Sequence, residues 1–359
     1  MGAELLPEPP LLSWTVAGTA LSGRQGRLDA EYAEVMRTTP KSTNPSPHLS
    51  EARGYLLIAL AALFWALSGI VAKFLFSSRP ITPLLLVQFR LLSAFVILLV
   101  LMAAAAPNEL RTRRVDLPFF LIYGSLGMGM VQLTYFTAIS EGSVSTAIFL
   151  QYLAPLFTAL YTVVLLRQRP PAGLAVNLAL ATAGSGLLLL GGTEGMATSS
   201  LGLIAGIGAA VFLSFYTVYG ARGVGIYPAR TVLLYTLGVG SLFLVPLARP
   251  WVAIQLGWGI ADWLFLAYMG VFGTLIPFGL FLTGLRRVAP VQATLTAMLE
   301  PVLATAGAWL LLGEALTWLQ ASGGVLIVLA IARLQISRQR QKRQDEPKRL
   351  PQYAGSNDH

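Results

Sequence analysis

From Tyr55 to Ile336 the chain is a series of apolar stretches of about 20 residues, each long enough to cross ~30 Å of hydrocarbon as a helix. Short breaks rich in Arg, Pro, Gly and Ser separate them. Ten stretches are predicted, at about 55–77, 83–105, 117–138, 144–166, 172–191, 201–220, 230–248, 262–284, 290–312 and 316–336. Their apolar residues are continuous rather than alternating, which excludes a closed barrel of strands. The fold class expected is an all-α membrane protein with ten transmembrane helices. Residues 1–54 are polar and rich in Pro, Ser, Thr and Arg, and read as a disordered tail. The patch from Leu11 to Leu21 follows Glu4 and Glu8 and is interrupted by Ser13, Thr15, Gly18 and Thr19, so it makes a poor signal peptide. Met36 offers a second start, which would make residues 1–35 an extension. Residues 337–359 form a basic C-terminal tail.

Composition supports the membrane reading. Hydrophobic residues make up 55% and charged residues 11% of the chain, whereas soluble domains carry about 25% charged residues and could not cover their surface with so few. The excess of basic residues reports topology rather than nucleic acid. With the N-terminal tail placed inside, 21 of the 25 Lys and Arg fall in the tails and the loops on that side, and only Arg79 and Arg249 fall in loops on the other. Both termini are therefore expected to be cytoplasmic. No cysteine is present, which removes disulfides, thiolate metal sites and cysteine nucleophiles, and no cofactor is expected. None of the lysines ends a phosphate-cradling GxxxxGK[ST] loop, so ATP-driven pumping has no support. An intramembrane enzyme would need a nucleophile with a base, or a metal cluster. A Ser/Lys pair built on Lys73 is the one arrangement available.

A shift of 146 residues places Gly124 on Gly270, Gly127 on Gly273, Thr137 on Thr283, Ala147 on Ala293, Leu153 on Leu299 and Pro155 on Pro301 without a gap. Two halves of five spans follow, 55–191 and 201–336. An odd number of spans per half inserts the second copy upside-down. Inverted repeats are a recurring design of secondary transporters, in which two packings exchanged between the halves open one site to alternate sides.

Ionisable residues within spans are functional candidates because each is costly there. Glu300 lies near the middle of the ninth span and directly precedes Pro301, which frees a carbonyl one turn earlier and opens a polar notch. It can carry a proton, bind a cation or serve as a structural hydrogen-bonding carboxyl. Arg90, seven residues into the second span, either snorkels to the headgroups or binds an anionic group. Lys73 snorkels, and Asp262 and Glu314 border their spans. Phe64, Trp65, Ser68, Gln132, Tyr135, Gln151, Tyr152, Ser214, Tyr216 and Tyr219 supply a cavity lining, with Gln132/Tyr135 and Tyr216/Tyr219 each on one helical face.

The stretch Ala297–Thr317, with Glu300-Pro301, Gly313-Glu314 and Leu316-Thr317, followed by Gly323-Gly324, resembles the signature of the drug/metabolite transporter superfamily, EamA type. Phe64-Trp65, Ser68-Gly69 and Arg90 fit the same pattern. The first half matches more loosely, with Ala154 where the second has Glu300 and Gln168 where it has Glu314. The resemblance implies ten helices in two inverted five-helix repeats around a central cavity. It also implies a secondary transporter in the inner membrane that exports amino acids or other small metabolites by alternating access, coupled to protons in some members. By position it implies a substrate site of Trp65, Gln132, Tyr135, Gln151, Tyr152, Tyr216 and Glu300, with Glu300 the coupling candidate. The implied partners are a small-molecule substrate, the lipid bilayer and protons, without nucleic acid, and the unit is a monomer or a homodimer. Alternative readings are a cationic drug/proton antiporter, a sugar-phosphate carrier, and a non-transporting membrane assembly or lipid-binding protein.

Overall fold

The computed structural model describes residues 47–345 apart from 79–80, 166, 168–169, 171–172, 193–197 and 314. Most of the polar N-terminal tail, Glu314 and the last fourteen residues of the C-terminal tail lie outside the described residues, as does the side chain of Lys73. Ten helices are long and apolar enough to cross a membrane: α1 (Ser50–Gly69), α2 (Leu84–Ala105), α3 (Arg114–Ser140), α4 (Val144–Leu165), α5 (Leu174–Gly191), α6 (Ser200–Ile226), α7 (Ala229–Ala248), α8 (Ile260–Leu285), α9 (Pro290–Leu311) and α10 (Trp318–Ser337). They match the ten predicted stretches to within a few residues, except that α6 runs six residues further and α1 starts five residues earlier, its helix continuing past Gly69 to Ser78. Two boundaries of the tails shift. Helix begins at Pro47, so residues 47–54 extend α1 rather than belonging to the disordered tail, and α10 continues helically to Asp345.

Ordinary capping chemistry starts these helices. Thr82 accepts from Leu85 N ahead of Pro83, Ser143 accepts from Thr146 N, and Ser199 accepts from Gly202 N. Asp262, expected at a span border, accepts from Gly259 N at 3.0 Å and closes the first turn of α8. At the far ends, Arg249 (φ 46°) terminates α7 and Gly313 (φ 70°) terminates α9 in the left-handed conformation.

The repeat is visible in the irregularities as much as in the helices. A π-helical segment interrupts α3 at Tyr123–Gly129 and α8 at Val271–Leu275. Under the 146-residue shift, 271–275 corresponds to 125–129, so both bulges end at the same point. Helix α4 breaks at Tyr152-Leu153 and α9 at Met298, again equivalent positions, and each break directly precedes Pro155 or Pro301 by two or three residues. A proline cannot donate to the carbonyl four residues back, so the chain tightens there, with Leu153 N bonded to Leu150 O and Met298 N to Leu295 O.

The two halves interlock rather than sit side by side. The bulge of α3 packs on α7, and that of α8 packs on α2; α1 lies against α8 and α9, and α6 against α3 and α4. Glycines permit the closest approaches: a Cβ on Gly124 would lie 2.4 Å from Val239 Cβ, and one on Gly270 would lie 2.0 Å from Ser93 Oγ. Helices α5 and α10 pair at the periphery, where a Cβ on Gly323 would meet the Gly184 carbonyl at 2.4 Å. The largest core cluster runs from Tyr55, Ile58, Phe119 and Val288 on the side where the chain begins, through Tyr123, Tyr216 and Phe281, to Val87, Phe136 and Leu244 toward the other side.

Candidate functional site

The seven candidate residues separate into two neighbouring groups, with two amides between them and committed to neither. The polar group forms at the helix breaks. Tyr152, buried at the break of α4, donates its hydroxyl proton to the Glu300 carboxylate, which stands in the first turn after the break of α9. The positive end of the half-helix Leu299–Leu312 favours that carboxylate. One hydrogen bond thus joins the equivalent breaks of opposite halves. Tyr135 on α3 and Arg90 on α2 stand within electrostatic reach of Glu300. Arg90, Tyr135, Gln151 and Glu300 are each half-buried.

Arg90 neither snorkels nor stands free. Its Nη2 donates to the Gly273 carbonyl at 2.7 Å and its Nε to Thr274 Oγ1 at 3.1 Å, both in the α8 bulge. The first of these contacts was not foreseen from the sequence. Pro277, four residues beyond Gly273, is the signal that could have revealed it.

The aromatic group lies toward the chain-terminus side. Trp65 packs edge-on against Phe278 (5.1 Å between centroids) and tilted against Phe281 (5.7 Å). Tyr216 stacks on Tyr123 at 5.0 Å and meets Phe278 edge-on at 5.7 Å. Tyr219, its partner on the same helical face, stacks on Phe119 and on Phe215, each at 4.7 Å. Tyr123 reaches this cluster because Gly220 leaves room: a Cβ there would lie 2.2 Å from the Tyr123 hydroxyl. Among the residues first singled out, Gln132 is buried with its Nε2 4.0 Å from Met128 Sδ, a weak acceptor, and Gln151 is half-buried beside the α4 break. Phe119, Tyr123, Phe278 and Phe281 were not anticipated, because in an apolar span a phenylalanine carries no signal that separates core from lipid.

A second set of polar contacts ties the linker between α2 and α3 to the start of α7. Asp116, fully buried, accepts from Arg113 Nε at 2.8 Å and from the Tyr227 hydroxyl at 2.6 Å, while Arg113 N donates to that hydroxyl at 3.1 Å. Arg230 forms a two-pronged pair with Glu109. Thr231 and Tyr235 donate to the carbonyls of Glu109 and Leu110 at 2.9 and 2.7 Å. These bonds lie on the chain-terminus side, as the aromatic group does, and connect one half to the other. Among the described residues no group of three His, Cys, Asp or Glu could hold a metal ion.

The sequence profile of the EamA-like transporter family matches residues 52–190 and 200–334, one copy in each half. The chain belongs to the EamA-like transporter family. Its EamA repeats meet at the breaks that Tyr152 and Glu300 bridge. The chain is 28% identical over 301 residues to the uncharacterized inner membrane transporter YicL of Salmonella typhimurium, covering 82% of this chain and 99% of that protein. It is 28% identical over 236 residues to the threonine/homoserine exporter RhtA of Salmonella typhimurium, covering 65% and 76%. A probable terminal-alkyne amino-acid exporter of Streptantibioticus cattleyicolor is 27% identical over 229 residues, covering 64% and 76%. A solved crystal structure superposes with a TM-score of 0.66 at 21% identity over 81% of this chain and 99% of the other, which supports the fold. This EamA protein is therefore a multi-pass membrane transporter of small molecules, built as two inverted five-helix repeats.

Proposed function

We propose that this EamA transporter exports amino acids or similarly small zwitterionic metabolites by alternating access, with Glu300 the coupling acid. The observation that carries the reading is the Tyr152–Glu300 hydrogen bond, which joins the breaks of the two halves beside the Arg90 guanidinium. A carboxylate and a guanidinium on facing walls match the ammonium and the carboxylate of an amino acid. An incoming ammonium, or a proton, competes with the Tyr152 hydroxyl for Glu300. Either event therefore loosens a bond that spans both hinges, which is the linkage an antiporter needs. Trp65, Tyr216, Tyr135, Gln132 and Gln151 complete the proposed lining. The names of two relatives, exporters of threonine/homoserine and of an alkyne amino acid, support the substrate class.

The distribution of Lys and Arg supports cytoplasmic termini. In that orientation the aromatic group and the linker contacts close the cytoplasmic side. The units proposed are the first repeat, 55–191, and the second, 201–336, within one chain that holds both halves. The test is uptake by sealed proteoliposomes of a labelled amino-acid and metabolite mixture, with and without a pH gradient. Gradient-driven uptake by wild type, reduced to exchange by Glu300→Gln, is expected. Uptake indifferent to both gradient and substitution would return Glu300 to a structural role.

A further inference from the structure

On the reading that Glu300 and Arg90 face one substrate site, we infer that Arg90 sets the charge of the transported molecule while supplying the hydrogen-bond donor that Pro277 withholds from α8. Helix α8 is in a π-helical register here, with Ile276 N bonded to Val271 O five residues back, and Pro277 has no N–H to offer the Phe272 and Gly273 carbonyls behind it. A carbonyl left unpaired in a buried position costs about 1–3 kcal/mol. Across from α2, Arg90 Nη2 takes its place at 2.7 Å, and Nε holds Thr274 Oγ1 at 3.1 Å. Gly270 lacks the side chain that would keep α2 away, since a Cβ there would stand 2.0 Å from Ser93 Oγ, and a Cβ on Gly273 would crowd Ser68 Cβ of α1 at 3.1 Å.

The arrangement occurs once, between α2 of the first half and α8 of the second, and not in its repeat-related counterpart. The residue equivalent to Pro277 in α3 is Val131, and the residue equivalent to Arg90 in α7 is Thr236, whose hydroxyl donates to Val232 O within its own helix. The α8 bulge is therefore pinned by a cation and the α3 bulge is not. A donor alone does not require an arginine, since a neutral amide or hydroxyl could cap one carbonyl. The guanidinium also brings a permanent positive charge within reach of Glu300. The pair leaves the site close to neutral overall, and a site of that kind favours a zwitterion over a net cation or anion.

Pro277→Ala separates the two roles, because it returns an N–H to the helix without touching the charge. Transport would be measured in proteoliposomes with three probes: threonine, its methyl ester as a cation, and N-acetylthreonine as an anion. Arg90→Gln is expected to raise the ester-to-threonine ratio about tenfold, and to lower the melting temperature. The double variant Arg90→Gln/Pro277→Ala is expected to recover the melting temperature and keep the altered ratio. Arg90→Lys, which keeps the charge and loses the two-pronged geometry, is expected to hold the wild-type ratio at a lower rate. A double variant with the wild-type ratio, or a lysine variant that swings like glutamine, overturns the charge role. The melting measurement reads the cap even where wild type carries none of the probes. Recovery on adding Pro277→Ala supports it, and a melting temperature indifferent to that change overturns it. Absence of transport by wild type with an intact cap locates the failure in the reading of the substrate site.

Discussion

Tyr227→Phe is the substitution that most directly tests whether the linker contacts hold the two halves together. The hydroxyl donates to the buried Asp116 carboxylate at 2.6 Å and accepts from Arg113 N at 3.1 Å. A hydrogen bond to a charged group contributes about 1.5–3 kcal/mol net. Arg113 Nε stays on Asp116 at 2.8 Å, and water can reach the half-buried linker, so the low end applies, about 1.5 kcal/mol. These bonds exist only while the halves are in contact on this side. The loss therefore shifts the closed-to-open ratio by roughly tenfold. The chain has no cysteine, so single reporters need no background removal. Val288→Cys sits in the core cluster on the chain-terminus side, and Leu86→Cys sits in the separate cluster with Ile81, Leu85 and Leu266 toward the opposite side. Maleimide labelling of the first should accelerate about tenfold with Tyr227→Phe, provided labelling proceeds through opening. Labelling of the second should not accelerate. Equal acceleration at both reporters would mean general loosening, and no acceleration at either would mean that the contacts hold nothing; either result refutes the latch.

Other expectations follow from close packing and from the exposed end of the latch. Gly323→Ala forces a Cβ to 2.4 Å from the Gly184 carbonyl and 2.9 Å from Leu188 N; backbone cannot yield there, so thermal unfolding should show a loss of about 1–3 kcal/mol. Gly225→Ala, with nothing within 4 Å of the new Cβ, should instead stabilise by about 0.5–1 kcal/mol in the same assay. The Arg230 guanidinium holds the Glu109 carboxyl below its ordinary range. A depressed carboxylate pKa gives stability that is present above the unfolded value and lost as pH falls through the folded one. The melting difference between wild type and Glu109→Gln should thus stay constant down to the ordinary carboxylate range and vanish only below it. Tyr152→Phe, which removes the bond across the two breaks and leaves Glu300 in place, should retain threonine binding and lower the coupling of uptake to the pH gradient, read as the ratio of net uptake to exchange.

Much of the architecture was legible because the bilayer imposes it. A chain that must satisfy every backbone group internally crosses hydrocarbon as helices of fixed length, so Tyr55 to Ile336 announced ten crossings by composition alone. Glycines 124 and 270 and prolines 155 and 301 announced the repeat, since a helix needs these residues where it bulges, breaks or meets a neighbour. Glu300 stood out by its charge. What stayed hidden was partnership. Nothing local indicates that Tyr152 bonds a carboxylate 148 residues away, or that Arg90 serves α8 rather than a headgroup. Phe278, Phe281 and Tyr123 were hidden for the opposite reason: lipid-facing and core-facing aromatics look alike where every neighbour is apolar.

The one-sidedness of the bridge and the cap has a consequence for how long the protein dwells in each orientation. Two identical inverted halves would exchange roles on rocking, and the outward-facing and inward-facing forms would be related by a two-fold rotation in the membrane plane and equal in free energy. An empty carrier of that kind would idle half its time facing each way. Here Pro277 and Glu300 of the second half and Arg90 of the first stand where their repeat partners carry Val131, Ala154 and Thr236, so the two halves differ at each of these places. The two orientations are therefore chemically distinct, and no symmetry makes the unloaded protein divide its time equally between them. A resting bias of 1.4 kcal/mol is a tenfold preference, enough for cargo to be met mostly from one compartment before any gradient is applied.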